Sequence, residues 1–158
     1  MMRIGHGYDA HRFAEGRPLY LGGVLISENG GLLGHSDADV ALHALMDAML
    51  GAAAHGDIGK LFPPADATWK GARSTDLLQI VRQKLDEAGY RVGNADITVI
   101  AQKPRLAPYI DTMRRTIADI LGTDIEDISV KATTTERMGF TGREEGIAAE
   151  AVCLLYKK

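Results

Sequence analysis

Ala95-Asp96-Ile97-Thr98-Val99-Ile100-Ala101, then the stretch from Pro108 to Leu121, then Ile128-Ser129-Val130-Lys131-Ala132-Thr133-Thr134, decide the fold. The first segment alternates with the period of two that half-buries a strand. The second sets Ile110, Met113, Ile117 and Leu121 on one face at helical spacing, and the third returns to strand alternation. Strand, helix, strand in that order is a βαβ unit, with a right-handed crossover and a parallel pair.

Working outward, Gly142 to Gly146 reads as a turn, and Ile147 to Tyr156 as a final apolar strand pairing antiparallel with its predecessor. Upstream, Ser74 is expected to cap a helix whose stripe is Leu77, Leu78, Val81, Leu85 and Ala88, ended by Gly89. Asp57 to Ala72 holds Gly59, Pro63, Pro64 and Gly71, has no periodicity and is long for a plain connection, so it is expected to be an active-site lid. Ser36 is read as the N-cap of a helix from Val40 to about Ala54, with Asp37 and Asp39 in its first turn. Arg3 to Phe13 and Leu19 to Ile26, joined through Glu15-Gly16-Arg17-Pro18, form an expected N-terminal hairpin. The expectation is therefore an α+β fold, an α/β sandwich: a mixed four-stranded sheet plus that hairpin, with helices packed on one face. No repeat or linker-like shift divides residues 1–158, which read as a single domain.

Composition narrows the function classes. The 158 residues are 46% hydrophobic and 25% charged, enough for a real core without a structural metal, so any metal is expected to be catalytic. No apolar stretch approaches the roughly 20 residues of a membrane span, and the first residues lack a signal-peptide core. The lone Cys153 lies in an apolar run, which fits a reducing cytoplasm. A net charge of −3 without a basic block excludes a generic nucleic-acid binder, so an anionic ligand must be held by local groups.

All five histidines fall within the first 55 residues. Asp9-Ala10-His11 places a carboxylate and an imidazole on one face of a strand, where both reach one ion. His43 interrupts an apolar helix and has Asp39 and Asp47 one turn to either side to orient its ring. Two histidines and a carboxylate suit catalytic zinc; the other reading is a surface strand pair and a hydrogen-bonded core histidine. His35-Ser36 at the helix start either binds phosphate through free N–H groups or serves only as a cap. Thr133-Thr134-Thr135-Glu136 offers hydroxyls beside a carboxylate, suited to diphosphate and Mg²⁺, or is ordinary strand sequence. Lys103-Pro104-Arg105 lies at a strand end, as ligand-binding or solvated charge. Glu150, an acid inside an apolar strand, is expected to meet a cation such as Arg143 or to lie at a subunit interface.

Taken together, Gly7-Tyr8-Asp9-Ala10-His11, the segment Gly34 to Ala44 (Gly-His-Ser-Asp-Ala-Asp-Val-Ala-Leu-His-Ala), Gly56-Asp57-Ile58-Gly59 and the segment Lys131 to Arg143 resemble the 2-C-methyl-D-erythritol 2,4-cyclodiphosphate synthase family, in order and over nearly the whole chain. The resemblance implies a phosphorus–oxygen lyase of non-mevalonate isoprenoid synthesis. It would convert 4-diphosphocytidyl-2-C-methyl-D-erythritol 2-phosphate to the 2,4-cyclodiphosphate and release CMP. It implies Asp9, His11 and His43 as zinc ligands and Glu136 as ligand of a second ion, Mg²⁺ or Mn²⁺. His35 and Thr134 match the transition-state pair, and Ser36 a neighbouring phosphate contact. Further matched substrate contacts are Asp57, Ile58, Gly59, Phe62 and Asp66, then Ala101, Lys103, Pro104, Arg105 and Leu106 of a cytidine pocket, and Thr133, Thr135, Phe140 and Arg143. Pro64 stands where many relatives carry an acid. A homotrimer with sites between subunits is implied, with Phe140, Arg143 and Glu150 near its axis. The rival readings are a zinc phosphohydrolase and an inactive binding protein of the same fold.

Overall fold

A computed structural model describes residues 1–158. Its strands are β1 (Met2–Ala14), β2 (Leu19–Leu21), β3 (Val24–Ser27), β4 (Gly31–Leu32), β5 (Tyr90–Ile100), β6 (Ile128–Thr133) and β7 (Gly146–Lys157); its helices are α1 (Val40–Ala52), α2 (Ile58–Leu61), α3 (Ser74–Glu87), α4 (Ile110–Leu121) and α5 (Gly139–Gly142).

The βαβ unit is present: β5 and β6 run parallel from Ala95 opposite Ile128 to Ile100 opposite Thr133, with α4 between them in sequence. The expected stripe of α4 is buried at Met113, Ile117 and Leu121. The sheet has five strands rather than four, in the order β4-β1-β7-β5-β6. β7 does not pair with β6 as expected. It lies between β1 and β5, antiparallel to both. The side chains explain the choice. β7 buries Ile147, Ala149, Ala151, Cys153 and Leu155 and hides Ala148 as well, whereas β6 exposes Ser129 and Lys131, which an edge strand tolerates.

The expected N-terminal hairpin also resolves differently. β1 spends its length on β7 and its end on β4, while the segment from Leu19 folds back on itself as β2-β3 around Gly22 and Gly23. The Gly142–Gly146 turn is preceded by the short helix α5.

Every residue of α1 except Asp47 and Gly51 is buried, as a helix that is apolar all round must be. It packs on β1 at backbone distance, because β1 turns Gly5 and Gly7 toward it. A Cβ on Gly5 would lie 1.8 Å from the Ala48 carbonyl oxygen, and one on Gly7 1.9 Å from that of Ala44. Since side chains alternate along β1, the opposite face carries Ile4 and Tyr8, both exposed. The close approach of α1 to β1 sets the geometry of the site.

Candidate functional site

Asp9 and His11 follow Gly5 and Gly7 at the strand period of two, so they leave β1 on the side of α1. His43, one residue before Ala44, comes down from α1 to meet them. Asp9 Oδ2 lies 2.9 Å from His11 Nε2 and 3.0 Å from His43 Nδ1. The two ring nitrogens are 3.3 Å apart.

These spacings fit a bound cation. Ligand atoms around a tetrahedral zinc at about 2.0–2.1 Å from the metal stand roughly 3.3 Å apart. His11 Nδ1 faces the Leu33 carbonyl at 2.8 Å, an acceptor only, so Nδ1 carries the proton and Nε2 turns a lone pair inward. His43 gives Nδ1 to the centre and Nε2 to the hydroxyls of Ser36 at 3.2 Å and Ser74 at 3.0 Å. Without a metal, protons take its place. Burial pushes Asp9 up, but hydrogen bonds and charge from both histidines outweigh it and bring the carboxyl down to about 2. Burial pulls His11 down, and Asp9 more than compensates, so its imidazole is raised above the ordinary value.

Several expectations about the surroundings are corrected. Asp39, not Ser36, is the N-cap of α1, accepting the Leu42 N–H, and the first turn holds no acid. His35 and Ser36 therefore precede the helix start rather than form it, and Ser36 is buried with its hydroxyl 3.2 Å from His43 Nε2. Ser74 is the first residue of α3 rather than its cap, and its hydroxyl also meets His43. Neither neighbouring acid orients the His43 ring. Asp39 takes N–H groups of Gly22, Gly23 and Leu42, and Asp47 that of Ile58.

The triad opens into a cleft of about 320 Å³, walled by His35, Ser36, Ile58, Gly59, Phe62 and Trp69 among others. The 57–72 stretch thus forms one wall, with Phe62 and Trp69 edge to face at 4.9 Å. Pro64 also lines it. Asp57 and Asp66 use their carboxylates on the N–H groups of Lys60 and Thr68. Exposed His35 touches the Asp66 carbonyl through Nε2 at 3.2 Å. Arg17 donates to the carbonyls on either side of His35, at 2.9 Å to Gly34 and 2.6 Å to Ser36. Nothing in the local sequence marks Arg17, Trp69 or the Leu33 carbonyl as part of the site; they are brought in by the chain's path.

The remaining matched residues form a second group at the C-terminal ends of β5 and β6, with no hydrogen bond or ion pair to the triad. Ala101 N–H reaches the Thr133 carbonyl at 2.9 Å, and Arg137 N–H reaches Gln102 Oε1 at 3.2 Å. Ala101 and Leu106 are buried, Arg105 is exposed, and Lys103 pairs loosely with Glu144 at 3.5 Å. Thr134 Oγ1 accepts the Glu136 N–H, leaving its proton free, whereas the Thr135 hydroxyl is tied to Met138 and Thr141. Glu136 and Arg137 are both left-handed, at φ 52° and 64°, a cost of about 1 kcal/mol or more each that such sites tolerate. The Glu136 carboxylate is exposed and takes part in no ion pair. One free carboxylate suits Mg²⁺ or Mn²⁺ held jointly with ligand phosphates. Phe140 borders a shallow cleft with Ala10, His11 and Arg12. Arg143 pairs with Glu145 at 2.8 Å, not with Glu150, which is exposed on the free sheet face.

The model of the YgbB family matches residues 2–156. The 2-C-methyl-D-erythritol 2,4-cyclodiphosphate synthase of Vibrio vulnificus (strain YJ016) is 60% identical over 158 residues, the whole of both chains. The bifunctional IspDF of Campylobacter jejuni superposes with a TM-score of 0.97 at 46% identity, over 100% of this chain and 43% of that one. A CDP complex of IspF from Plasmodium falciparum superposes with a TM-score of 0.86 at 36% identity, over 99% of this chain and 97% of that one. The chain therefore belongs to the YgbB family, that of the 2-C-methyl-D-erythritol 2,4-cyclodiphosphate synthases.

Proposed function

We propose that this chain is a phosphorus–oxygen lyase of non-mevalonate isoprenoid synthesis that cyclises 4-diphosphocytidyl-2-C-methyl-D-erythritol 2-phosphate to 2-C-methyl-D-erythritol 2,4-cyclodiphosphate and releases CMP. The observation that carries the reading is the convergence of Asp9, His11 and His43 on one point, in a chain 60% identical to such a synthase over its full length.

In the reaction an oxygen of the 2-phosphate forms a bond to the β-phosphorus, and the bond from that phosphorus to the CMP oxygen breaks. The electron pair leaves with CMP. No protein nucleophile is needed, so the protein positions two phosphates and neutralises their charge. Asp9, His11 and His43 would hold zinc and Glu136 a second ion, Mg²⁺ or Mn²⁺; when bound, these ions supply Lewis-acid stabilisation of phosphate oxygens. His35 and Thr134 place N–H and O–H donors where negative charge develops, with Ser36 beside them. Asp57, Ile58, Gly59, Phe62 and Asp66 hold the erythritol chain. Ala101, Lys103, Pro104, Arg105 and Leu106, with Thr133 and Thr135, hold the cytidine diphosphate, partly through backbone groups, since Ala101 and Leu106 are buried.

The two groups of residues complete one another across subunits of a homotrimer. Exposed apolar side chains on the free sheet face support this reading: Ile4 is 70%, Tyr8 49% and Val152 39% exposed, beside the carboxylate of Glu150, a surface that favours association. Phe140, Arg143 and Glu150 then lie near the threefold axis.

The test is incubation with the diphosphocytidyl substrate and Mg²⁺, following CMP by chromatography and the product by ³¹P NMR. Equal amounts of CMP and cyclic diphosphate are expected. Orthophosphate release instead would identify a hydrolase, and binding without turnover an inactive relative.

A further inference from the structure

We infer that Asp37, acting through Ser74, is the positioning residue that fixes His43 as a metal ligand, an inference that rests on the reading of Asp9, His11 and His43 as a metal centre. Ser74 is fully buried at the start of α3. Its hydroxyl donates to Asp37 Oδ1 at 2.5 Å, and its backbone N–H donates to Asp37 Oδ2 at 2.9 Å. The same oxygen of Ser74 lies 3.0 Å from His43 Nε2.

A hydroxyl has one proton. Because the Asp37 carboxylate is an acceptor only, that proton is committed to it, and Ser74 Oγ faces His43 as an acceptor. Nε2 must then carry the imidazole proton, which leaves Nδ1 as the lone-pair donor turned to Asp9 and His11. The sense of every bond in the chain from Asp37 to the centre follows from the charge at its far end. Asp37 is itself held by the Asp39 N–H at 3.1 Å and stands 3.9 Å from Arg73 Nε.

Asp37→Asn reverses the chain: with its oxygen on the Ser74 N–H, its amide donates to Ser74 Oγ. The hydroxyl proton then turns to Nε2 and favours the tautomer with Nδ1 protonated, which must give up that proton before Nδ1 can bind metal. Ser74→Ala deletes only one oxygen and leaves Ser36 as the remaining acceptor for Nε2. Zinc affinity, measured by competition with a chromophoric chelator, is expected to fall about 10–100-fold in Asp37→Asn and by less in Ser74→Ala. ¹⁵N NMR of the zinc-loaded protein should show His43 protonated at Nε2 in the wild type, with that N–H signal shifted in Asp37→Asn, where Ser74 Oγ no longer accepts from it. Affinities within twofold of wild type in both variants, even with lowered melting temperatures, overturn the inference and leave Asp37 a purely structural residue. His43→Ala serves as control. Unchanged zinc binding in that variant, or none in the wild type, overturns the reading of the centre itself and the inference with it.

Discussion

Gly7→Ala tests how the fold sets the site. The added Cβ would lie 1.9 Å from the Ala44 carbonyl oxygen and 2.8 Å from the Ala48 nitrogen. Both are helix backbone, which cannot rotate away as a side chain would. Restoring an ordinary contact of about 3.0–3.4 Å requires α1 and β1 to part by roughly 1.1–1.5 Å, a strain at the upper end of the 1–3 kcal/mol typical of overpacking. For a chain of this size about 3 kcal/mol lowers Tm by roughly 6–12 °C. The displacement also reaches the triad directly, because β1 carries Asp9 and His11 while α1 carries His43, with donor atoms now 2.9 to 3.3 Å apart. Metal sites tolerate errors of about 0.2 Å, so zinc affinity should fall with Tm. Gly16→Ala is the control: it adds a Cβ at a positive φ, 74°, with nothing within 4 Å, and should cost about 1 kcal/mol without touching zinc binding. The assays are thermal melting of the metal-free protein and chelator competition for zinc. A Gly7→Ala variant melting within about 2 °C of wild type with unaltered affinity would refute the claim that the glycine face of β1 positions the centre.

Asp39→Asn should destabilise the fold by roughly 1–3 kcal/mol, because one amide cannot accept all the N–H groups of Gly22, Gly23 and Leu42 now shared between two carboxylate oxygens; an unchanged denaturation midpoint would contradict this. In the metal-free protein Asp9 is held at about 2, below its unfolded value, so its contribution is present above roughly pH 4 and is lost as pH falls through 2. His11 is raised, so its contribution is present below roughly pH 6.5 and is lost as pH rises through its folded value. Asp9→Asn should therefore lose the acid-side step in urea midpoints, and zinc binding near neutral pH should release protons, read by calorimetry in buffers of different ionisation enthalpy. Buffer-independent heats would oppose the assignment. Glu136→Gln should raise the Mg²⁺ or Mn²⁺ concentration needed for half-maximal rate about tenfold or more while leaving zinc content intact; an unaltered titration would count against its role.

The sequence made some of this legible and hid the rest for physical reasons. The parallel pair of β5 and β6 was readable because its alternation and the α4 stripe lie close together in the chain. The placement of β7 between β1 and β5 was not, because the pairing of Met2 with Tyr156 joins residues at opposite ends of the sequence. Asp9 and His11 announce themselves by strand spacing, and His43 by interrupting an apolar helix. Its ring partners were misassigned to Asp39 and Asp47 since helical spacing shows which residues share a face, not which loops cover it. Ser36 and Ser74 look like caps in sequence, and only the fold turns both hydroxyls to one imidazole. Within the group at Ala101–Leu106 and Thr133–Glu136, residue pattern marks Thr133–Glu136 by hydroxyls beside a carboxylate and Lys103–Arg105 by a strand end, each with an ordinary structural alternative, while Ala101 and Leu106 come from the resemblance alone; within this chain the group stands apart from the triad.

The most direct test of the central claim is metal content and turnover measured on the same protein: as purified, after chelation, after zinc is restored, and with His43→Ala in parallel, Mg²⁺ present throughout. About one zinc per chain is expected, with CMP and cyclic diphosphate formation lost on chelation, regained with zinc and absent in His43→Ala. Full cyclisation by the chelated protein, or by His43→Ala, would contradict the account.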